Sequence, residues 1–334
     1  MAISIGWWIA RWSGCKQNMP IDPDLAALLA RRAQHPPPTD LAALRAGLEA
    51  QAIQLPARDV GTVDERGIDL PGPAGVIGAR LYRTHAAPQA LTVYYHGGAF
   101  IAGSLNTHDS VCRELAVSSN SSVLSINYRL APEHPFPAGP DDCRAALRWA
   151  IAHRGTMDID GPIAVAGDSA GATLALVSAI GIRSDGEPDI AALLLLYPPA
   201  DLRDGNYASR REFAQGFGLT EAARQMMVRS YAPSEAEQRD PRISPLLVPN
   251  LGGLPPTLVV TAQYDVLRDE GAALATALAR GGTPVEHVRA AGMIHGFANY
   301  GGISPAAALA FDRAGAWIRE QLYDRGAARP TPAA

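Results

Sequence analysis

Residues 163–182, IAVAGDSAGATLALVSAIGI, contain the pattern on which the fold depends. The compact apolar run Ile163–Ala166 is typical of a buried strand, and the stretch Ala170–Ile182 is typical of a helix. Between them, Gly167-Asp168-Ser169-Ala170-Gly171 fits the G-x-S-x-G pattern, in which small residues permit a tight, strained turn. The segment therefore predicts a strand, a sharp turn and a helix, with Ser169 at the helix N-terminus.

Outward from this turn, strand-like and helix-like segments alternate along the chain. Short apolar runs predict further strands at Val76–Tyr82, Leu91–Tyr95, Val123–Ile126, Ala192–Tyr197, Leu258–Thr261 and Val285–Val288. Helical stretches lie between or after them at Asp141–His153, Gly271–Arg280 and Pro305–Tyr323. This alternation predicts an α/β fold with a mostly parallel central sheet flanked by helices. We expect residues 56–200 and 250–323 to form that domain.

Two segments are predicted to be helical without belonging to the sheet domain. Residues 19–55 open with Asp22-Pro23-Asp24, an N-cap followed by a first-turn proline and an acidic residue, and should hold two helices separated by prolines 36–38. Residues 201–249 contain one helical stretch, Thr220–Tyr231, and no convincing strand. An insertion of this length between strands is often a lid. We expect the two segments to form a helical cap.

The ends of the chain are expected to lie outside the fold. Residues 1–18 are rich in tryptophan and isoleucine, but they lack the basic start and the cleavage site of a signal peptide. We interpret them as an extension that precedes a natural start at Met19. Residues 324–334, rich in alanine and proline, are expected to be a frayed tail.

Composition excludes several classes of protein. Of the 334 residues, 47% are hydrophobic and 19% are charged, which is typical of a globular chain. The net charge of −4 gives no basic surface for nucleic acid, and no stretch approaches the roughly 20 apolar residues that span a bilayer. Cys15, Cys112 and Cys143 are odd in number and lack C-x-x-C spacing, which predicts neither a zinc site nor a disulfide framework and favours the cytoplasm. A Cys112–Cys143 bridge stays open.

The Ser169 hydroxyl needs a base and an orienting carboxylate to act as a nucleophile. In folds with this strand, turn and helix, the histidine follows the serine in the chain. Only His287 and His295 follow Ser169 here. His287 falls within a predicted strand, whereas His295 lies in a glycine-flanked loop after it, so His295 is the predicted base. For the acid we predict Asp265, just after a strand, over Asp269, which opens a helix as a first-turn acid.

Donors for an oxyanion are predicted in His96-Gly97-Gly98-Ala99-Phe100, directly after a strand. The glycines expose backbone N–H groups with little side-chain obstruction. We predict that the amides of Gly97, Gly98 and Ala170 form the oxyanion hole.

These features resemble the hormone-sensitive-lipase-like esterases, the bacterial family with H-G-G-G and G-D-S-A-G motifs. The resemblance spans Met19 to about Tyr323 and includes, in the family's order, residues 96–98, 128–138, 167–171, 240–246, 265–271 and 295–297. It implies an α/β-hydrolase fold with an N-terminal helical cap, the nucleophile at Ser169, the acid at Asp265 and the base at His295. It also implies hydrolysis of small esters with short acyl chains, without a cofactor, and often as a homodimer.

Two positions depart from the family's pattern, and a third matches it. Ala99 replaces the third glycine of H-G-G-G, which should change the pocket shape and not the mechanism. Val266 replaces the proline that usually follows the acid, which should leave that turn less fixed. Glu133 matches a family glutamate near the site, and we interpret it as structural because its loop is rich in turns.

Two other functions stay open from the sequence. An amidase or formamidase would use the same residues. A non-catalytic ligand receptor on the same fold would have lost the histidine, whereas His295 is present.

Overall fold

Eight strands form one sheet in the order β1-β2-β4-β3-β5-β6-β7-β8. The structure, a computed structural model, describes residues 19–34, 40–85, 89–186 and 190–324. The strands are β1 (Val63–Gly72), β2 (Gly75–Thr84), β3 (Leu91–Tyr95), β4 (Ser122–Ile126), β5 (Ile163–Asp168), β6 (Ala192–Leu196), β7 (Thr257–Tyr264) and β8 (Val285–Ile294). The predictions for residues 1–18, for prolines 36–38 and for the tail from residue 325 lie outside the described residues.

The sheet is parallel from β4 through β8, and β1 and β2 run antiparallel at one edge. Every residue of the short strands β3, β4, β5 and β6 is buried, as expected for parallel strands covered on both faces. Successive side chains point to opposite faces, so that Val93 and Tyr95 belong to one core cluster and Tyr94 to the other. The predicted α/β-hydrolase fold is confirmed.

Helices cover both faces of this sheet. Those of eight residues or more are α1 (Pro23–Arg32), α2 (Leu41–Gln54), α3 (Asp109–Ser119), α4 (Ala138–His153), α5 (Ala170–Ser184), α7 (Glu221–Tyr231), α9 (Arg268–Arg280) and α10 (Pro305–Tyr323). Two single turns, α6 (Ser209–Glu212) and α8 (Glu235–Gln238), flank α7. Asp22 and Asp40 accept hydrogen bonds from the first-turn amides of α1 and α2, which explains where these helices begin.

Several elements differ from prediction. Helix α3 was not predicted, because its apolar side chains are interspersed with polar ones that it also buries, including Glu114. Helix α4 begins at Ala138 and helix α9 at Arg268, each three residues before the predicted start. Strand β8 continues to Ile294, because it pairs with β7 beyond an irregularity between Ala262 and Tyr264.

The cysteines of the described core are not cross-linked. Cys112 on α3 and Cys143 on α4 are buried free thiols, so the bridge left open from the sequence is not formed. Over the described parts of the chain, no helix has the length and apolarity needed to cross a membrane.

Candidate active site

Ser169 occupies a strained turn between β5 and α5. Its φ of 50° is in a region that non-glycine residues rarely adopt, and its N–H donates to the Leu196 carbonyl at 2.9 Å. The flanking glycines are required by close backbone contacts: a Cβ on Gly167 would lie 2.3 Å from the Gly171 oxygen, and a Cβ on Gly171 would lie 1.9 Å from the Tyr95 oxygen. This is the strand, turn and helix that the sequence predicts.

His295 and Asp265 lie beside Ser169 at the same edge of the sheet. His295 Nε2 is 3.0 Å from Ser169 Oγ, and His295 Nδ1 is 2.7 Å from Asp265 Oδ2. Each side chain comes directly after a parallel strand: Asp265 follows β7 and His295 follows β8. Carboxyl ends of parallel strands meet at one edge, which is why residues far apart in the chain converge here. The structure therefore brings the three predicted residues together.

The charge of Asp265 determines the protonation of His295. Burial alone would lower the pKa of the imidazole, but the charge and hydrogen bond of Asp265, together with the charges of Asp168 and Glu270, raise the pKa above its ordinary value. Asp265 is fully buried, and its second oxygen accepts from the Leu267 N–H at 2.9 Å. The ring of Tyr197 packs edge-on against the imidazole, with centroids 4.9 Å apart. The pair is thus held in one orientation.

The two alternatives from the sequence have other partners. His287 lies within β8 and its Nε2 is 3.1 Å from Thr261 Oγ1. Asp269 accepts from the Ser209 N–H at 2.8 Å and forms an ion pair with Arg268. Neither makes a hydrogen bond to Ser169 or His295 among the described residues.

The loop after β3 approaches Ser169, but one of its predicted donors is already engaged. The Gly97 N–H donates to Asp168 Oδ1 at 2.8 Å, so the structure argues against Gly97 as a donor to an oxyanion. No acceptor among the described residues bonds the amides of Gly98, Ala99 or Ala170, and all three residues line cavities beside Ser169. Ala99 has a φ of 57°, the left-handed region in which glycine is favoured.

Asp168 organises the floor of the site. Besides the Gly97 amide, its carboxylate accepts from Tyr94 Oη at 2.7 Å and lies 3.2 Å from His108 Nε2. Burial alone would raise the pKa of Asp168, but His108, Tyr94 and the Gly97 amide together hold it below its ordinary value. This cluster was not predicted from the sequence, because His108 and Asp168 do not belong to the Ser, acid, His order along the chain. The position of Asp168 inside the G-x-S-x-G turn was the available signal.

The turn after Asp265 is well fixed although Val266 replaces proline. Val266 is fully buried, and the Arg268 N–H donates to the Asp265 carbonyl at 3.1 Å. These contacts close the turn, and the expectation that it is less fixed than with proline stays a prediction.

Glu133 lies outside the site and connects two segments. Its carboxylate forms a bidentate pair with Arg45 of α2, at 2.8 Å for each bond. Arg45 also donates to the carbonyls of Ile101 and Ala131, at 2.7 and 2.9 Å. This contact supports the structural interpretation of Glu133.

Two cavities adjoin Ser169. The larger, of about 260 Å³, is bounded by α2 side chains such as Leu44 and Leu48, by Met227 of α7 and by His295. The smaller, of about 40 Å³, lies against Ala170, Leu202 and Val228. Mostly apolar walls with a few polar groups are typical of small-molecule sites.

Comparison with known proteins agrees with this geometry. The α/β-hydrolase-fold family matches residues 92–299. The chain is 41% identical to esterase LipI of Mycobacterium tuberculosis over 76% of this chain and 81% of that one. It is 34% identical to the ethyl acetate hydrolase of Pseudomonas putida, over 67% and 72% of the two chains. A solved esterase of Pyrobaculum calidifontis superposes with a TM-score of 0.83 at 36% identity, covering 90% of this chain and 99% of that chain.

The family match covers residues 92–299, a range that includes Ser169, Asp265 and His295. The chain therefore belongs to the α/β-hydrolase family and, within it, to the hormone-sensitive-lipase-like carboxylesterases.

Proposed function

We propose that this protein hydrolyses small carboxylic esters with short acyl chains, using Ser169 as nucleophile, His295 as general base and Asp265 as orienting acid. The observation that carries the proposal is the hydrogen-bonded series from Ser169 Oγ to His295 Nε2 and from His295 Nδ1 to Asp265 Oδ2, at 3.0 and 2.7 Å. Each group is within reach of its proton partner, which is the first requirement for acid–base catalysis.

In the first half-reaction, Ser169 Oγ attacks the ester carbonyl carbon while His295 Nε2 takes the hydroxyl proton. The carbonyl oxygen becomes an oxyanion. Collapse of this tetrahedral intermediate breaks the bond to the alcohol oxygen, which receives the proton from His295 and leaves. The buried Asp265 carboxylate stabilises the imidazolium that forms between these steps.

The oxyanion is stabilised, in this proposal, by the amides of Gly98, Ala99 and Ala170. Ala99 takes the place of Gly97, whose N–H is bonded to Asp168. Ala170 is the first residue of α5, so its amide adds to the positive end of the helix dipole. Losing one such donor costs about 2.7–4 kcal/mol of transition-state stabilisation.

In the second half-reaction, water attacks the acyl group on Ser169. His295 removes a proton from the water, the tetrahedral intermediate collapses, and Ser169 Oγ regains the proton as the carboxylic acid departs. The enzyme returns to its starting state with one ester bond replaced by an acid and an alcohol.

The two helical segments limit the size of the substrate. Residues 19–55 and 201–249 act as a cap on the catalytic domain of residues 56–200 and 250–323. Side chains from both segments line the larger cavity, including Leu48 from the first and Met227 from the second. The volume of about 260 Å³ suits a short acyl chain and a small alcohol.

The test is a comparison of Ser169→Ala with Ser184→Ala on p-nitrophenyl acetate and butyrate. Ser184 ends the same helix and donates to the Ile180 carbonyl, so its variant controls for the substitution alone. We expect Ser169→Ala to lose more than 99.9% of kcat and Ser184→Ala to keep it. In the parent protein, mass spectrometry should find an acyl adduct on Ser169. Retained activity in Ser169→Ala contradicts the proposal, and faster cleavage of the matched p-nitroanilides than of the esters identifies an amidase.

A further inference from the structure

Arg32 presents a guanidinium to the larger cavity, close to His295. It is the last residue of α1, and its Nη1 donates to Tyr300 Oη at 3.0 Å. The guanidinium carbon lies 5.2 Å from the centroid of the Tyr300 ring. Tyr300 in turn lies near the catalytic loop, since a Cβ on Gly296 would be 3.7 Å from Tyr300 Oη. Arg32, Tyr300, Gly296 and His295 all line the same cavity.

One nitrogen of this guanidinium has no hydrogen-bond partner among the described residues. Arg32 Nη2 is buried and makes no hydrogen bond within the described structure. A buried donor on a charged group is costly when left unsatisfied. The hydrogen bond of Nη1 and the ring of Tyr300 hold the guanidinium in place at the cavity wall, so an anion that enters the cavity meets an oriented positive charge.

The acidic groups of the same cavity are engaged elsewhere. Asp168 accepts from Tyr94, His108 and the Gly97 amide. Glu114 is buried with Arg58 at 3.7 Å, and burial raises its pKa to about 7, so much of its charge is absent at neutral pH. Neither carboxylate forms an ion pair with Arg32 among the described residues. The Arg32 charge is therefore available to a ligand.

We propose that Arg32 is a specificity-determining residue that binds a carboxylate carried by the ester substrate, whose ester carbon lies at Ser169. This inference rests on the proposed function and narrows it to anionic esters. The carboxylate belongs either to the acyl part, as in a half-ester of a dicarboxylic acid, or to the departing alcohol. Arginine suits both, because its N–H groups pair with carboxylate oxygens in charge-assisted hydrogen bonds.

Two pairs of substrates separate these cases. For the acyl part, p-nitrophenyl hemisuccinate is compared with its neutral methyl ester. For the alcohol part, 4-acetoxybenzoate is compared with methyl 4-acetoxybenzoate. In Arg32→Gln, kcat/KM for one anionic ester should fall by about 10- to 100-fold, the loss expected for a charge-assisted hydrogen bond, while its neutral partner changes less than about threefold. Arg32→Lys should retain part of the preference.

Arg31→Gln is the matched control, since it removes the same charge from the same helix at an exposed position. An equal anionic-to-neutral ratio in the parent and in Arg32→Gln overturns the inference. A parallel loss for both esters also overturns it, because Arg32 would then only support the fold. If the parent hydrolyses none of the four esters, the proposed function fails first. The subsite is then tested by the thermal shift that monomethyl glutarate produces in the parent, and an equal shift in Arg32→Gln overturns it.

Discussion

The Gly97 amide donates a hydrogen bond of 2.8 Å to Asp168 Oδ1, one residue before Ser169 in the chain. The loop that carries the proposed oxyanion donors and the turn that carries the proposed nucleophile are therefore joined through one buried carboxylate. A Cβ on Gly97 would lie 2.5 Å from Asp168 Oδ2, so the contact also explains why this position is glycine.

Asp168→Asn should slow the reaction without removing any catalytic group. The asparagine side chain lacks the negative charge with which Asp168 binds His108 and accepts a hydrogen bond from Tyr94. The loop of Gly98 and Ala99 should shift as a result. Because a displacement of about 1 Å can cost 10²-fold in rate, kcat should fall by about 10- to 100-fold with KM changed much less. Steady-state kinetics on p-nitrophenyl butyrate measures this. Asp158→Asn, at an exposed turn, is the control, and equal kcat values for the two variants would contradict the prediction.

Activity should fall on acidification through a pKa above 6.5. The base must be neutral, and Asp265 raises the pKa of His295, so kcat/KM declines as pH falls through that raised value. In Asp265→Asn, burial remains and the raising charge is gone, so the midpoint should move to lower pH while kcat drops by about 10⁴-fold. A pH profile of kcat/KM from 5 to 9 on both proteins is the measurement. A midpoint that stays in place shows that His295 is not the titrating group.

Ala99→Gly should stabilise the protein. Ala99 is held at a φ of 57°, which costs an L-residue about 1–2 kcal/mol, whereas glycine adopts it freely. Glycine also raises the entropy of the unfolded chain, which offsets part of this. The free energy of unfolding should therefore rise by roughly 0.5–1 kcal/mol, and the thermal midpoint by about 1–2 °C. Ala102→Gly in the same loop, at a buried position without positive φ, should lower the midpoint. A fall in both variants means that Ala99 carries no strain.

Arg45→Met should loosen helix α2. The variant keeps the aliphatic stem and loses the bonds to the carbonyls of Ile101 and Ala131. Losing one charge-assisted bond, about 1.5 kcal/mol, makes local opening about tenfold more frequent. Hydrogen exchange of residues 41–54 reports the opening. Glu133→Gln, which leaves both carbonyl bonds, should show a smaller increase, and equal exchange in Arg45→Met and the parent would refute the prediction.

The grouping of Ser169, Asp265 and His295 could be predicted because each comes directly after a parallel strand. In a parallel sheet the carboxyl ends of such strands meet at one edge, so chain order and strand position suffice. The fold class followed from the same alternation of strands and helices.

The choice among the amides of Gly97, Gly98 and Ala99 could not be predicted. It depends on which N–H points at Asp168, a contact between residues 71 positions apart. Helix α3 and the end of β8 were missed for a related reason. Their boundaries are fixed by packing and pairing with distant elements, and the local sequence pattern does not show these contacts.

Ala99 and Ser169 border both cavities, the larger and the smaller. If the acyl group and the alcohol occupy different chambers, the alcohol can depart while the acyl group stays on Ser169. The vacated chamber then leaves room for the water that attacks the acyl group in the proposed mechanism. Because Ala99 borders both cavities, a larger side chain at this position would narrow both of them at once.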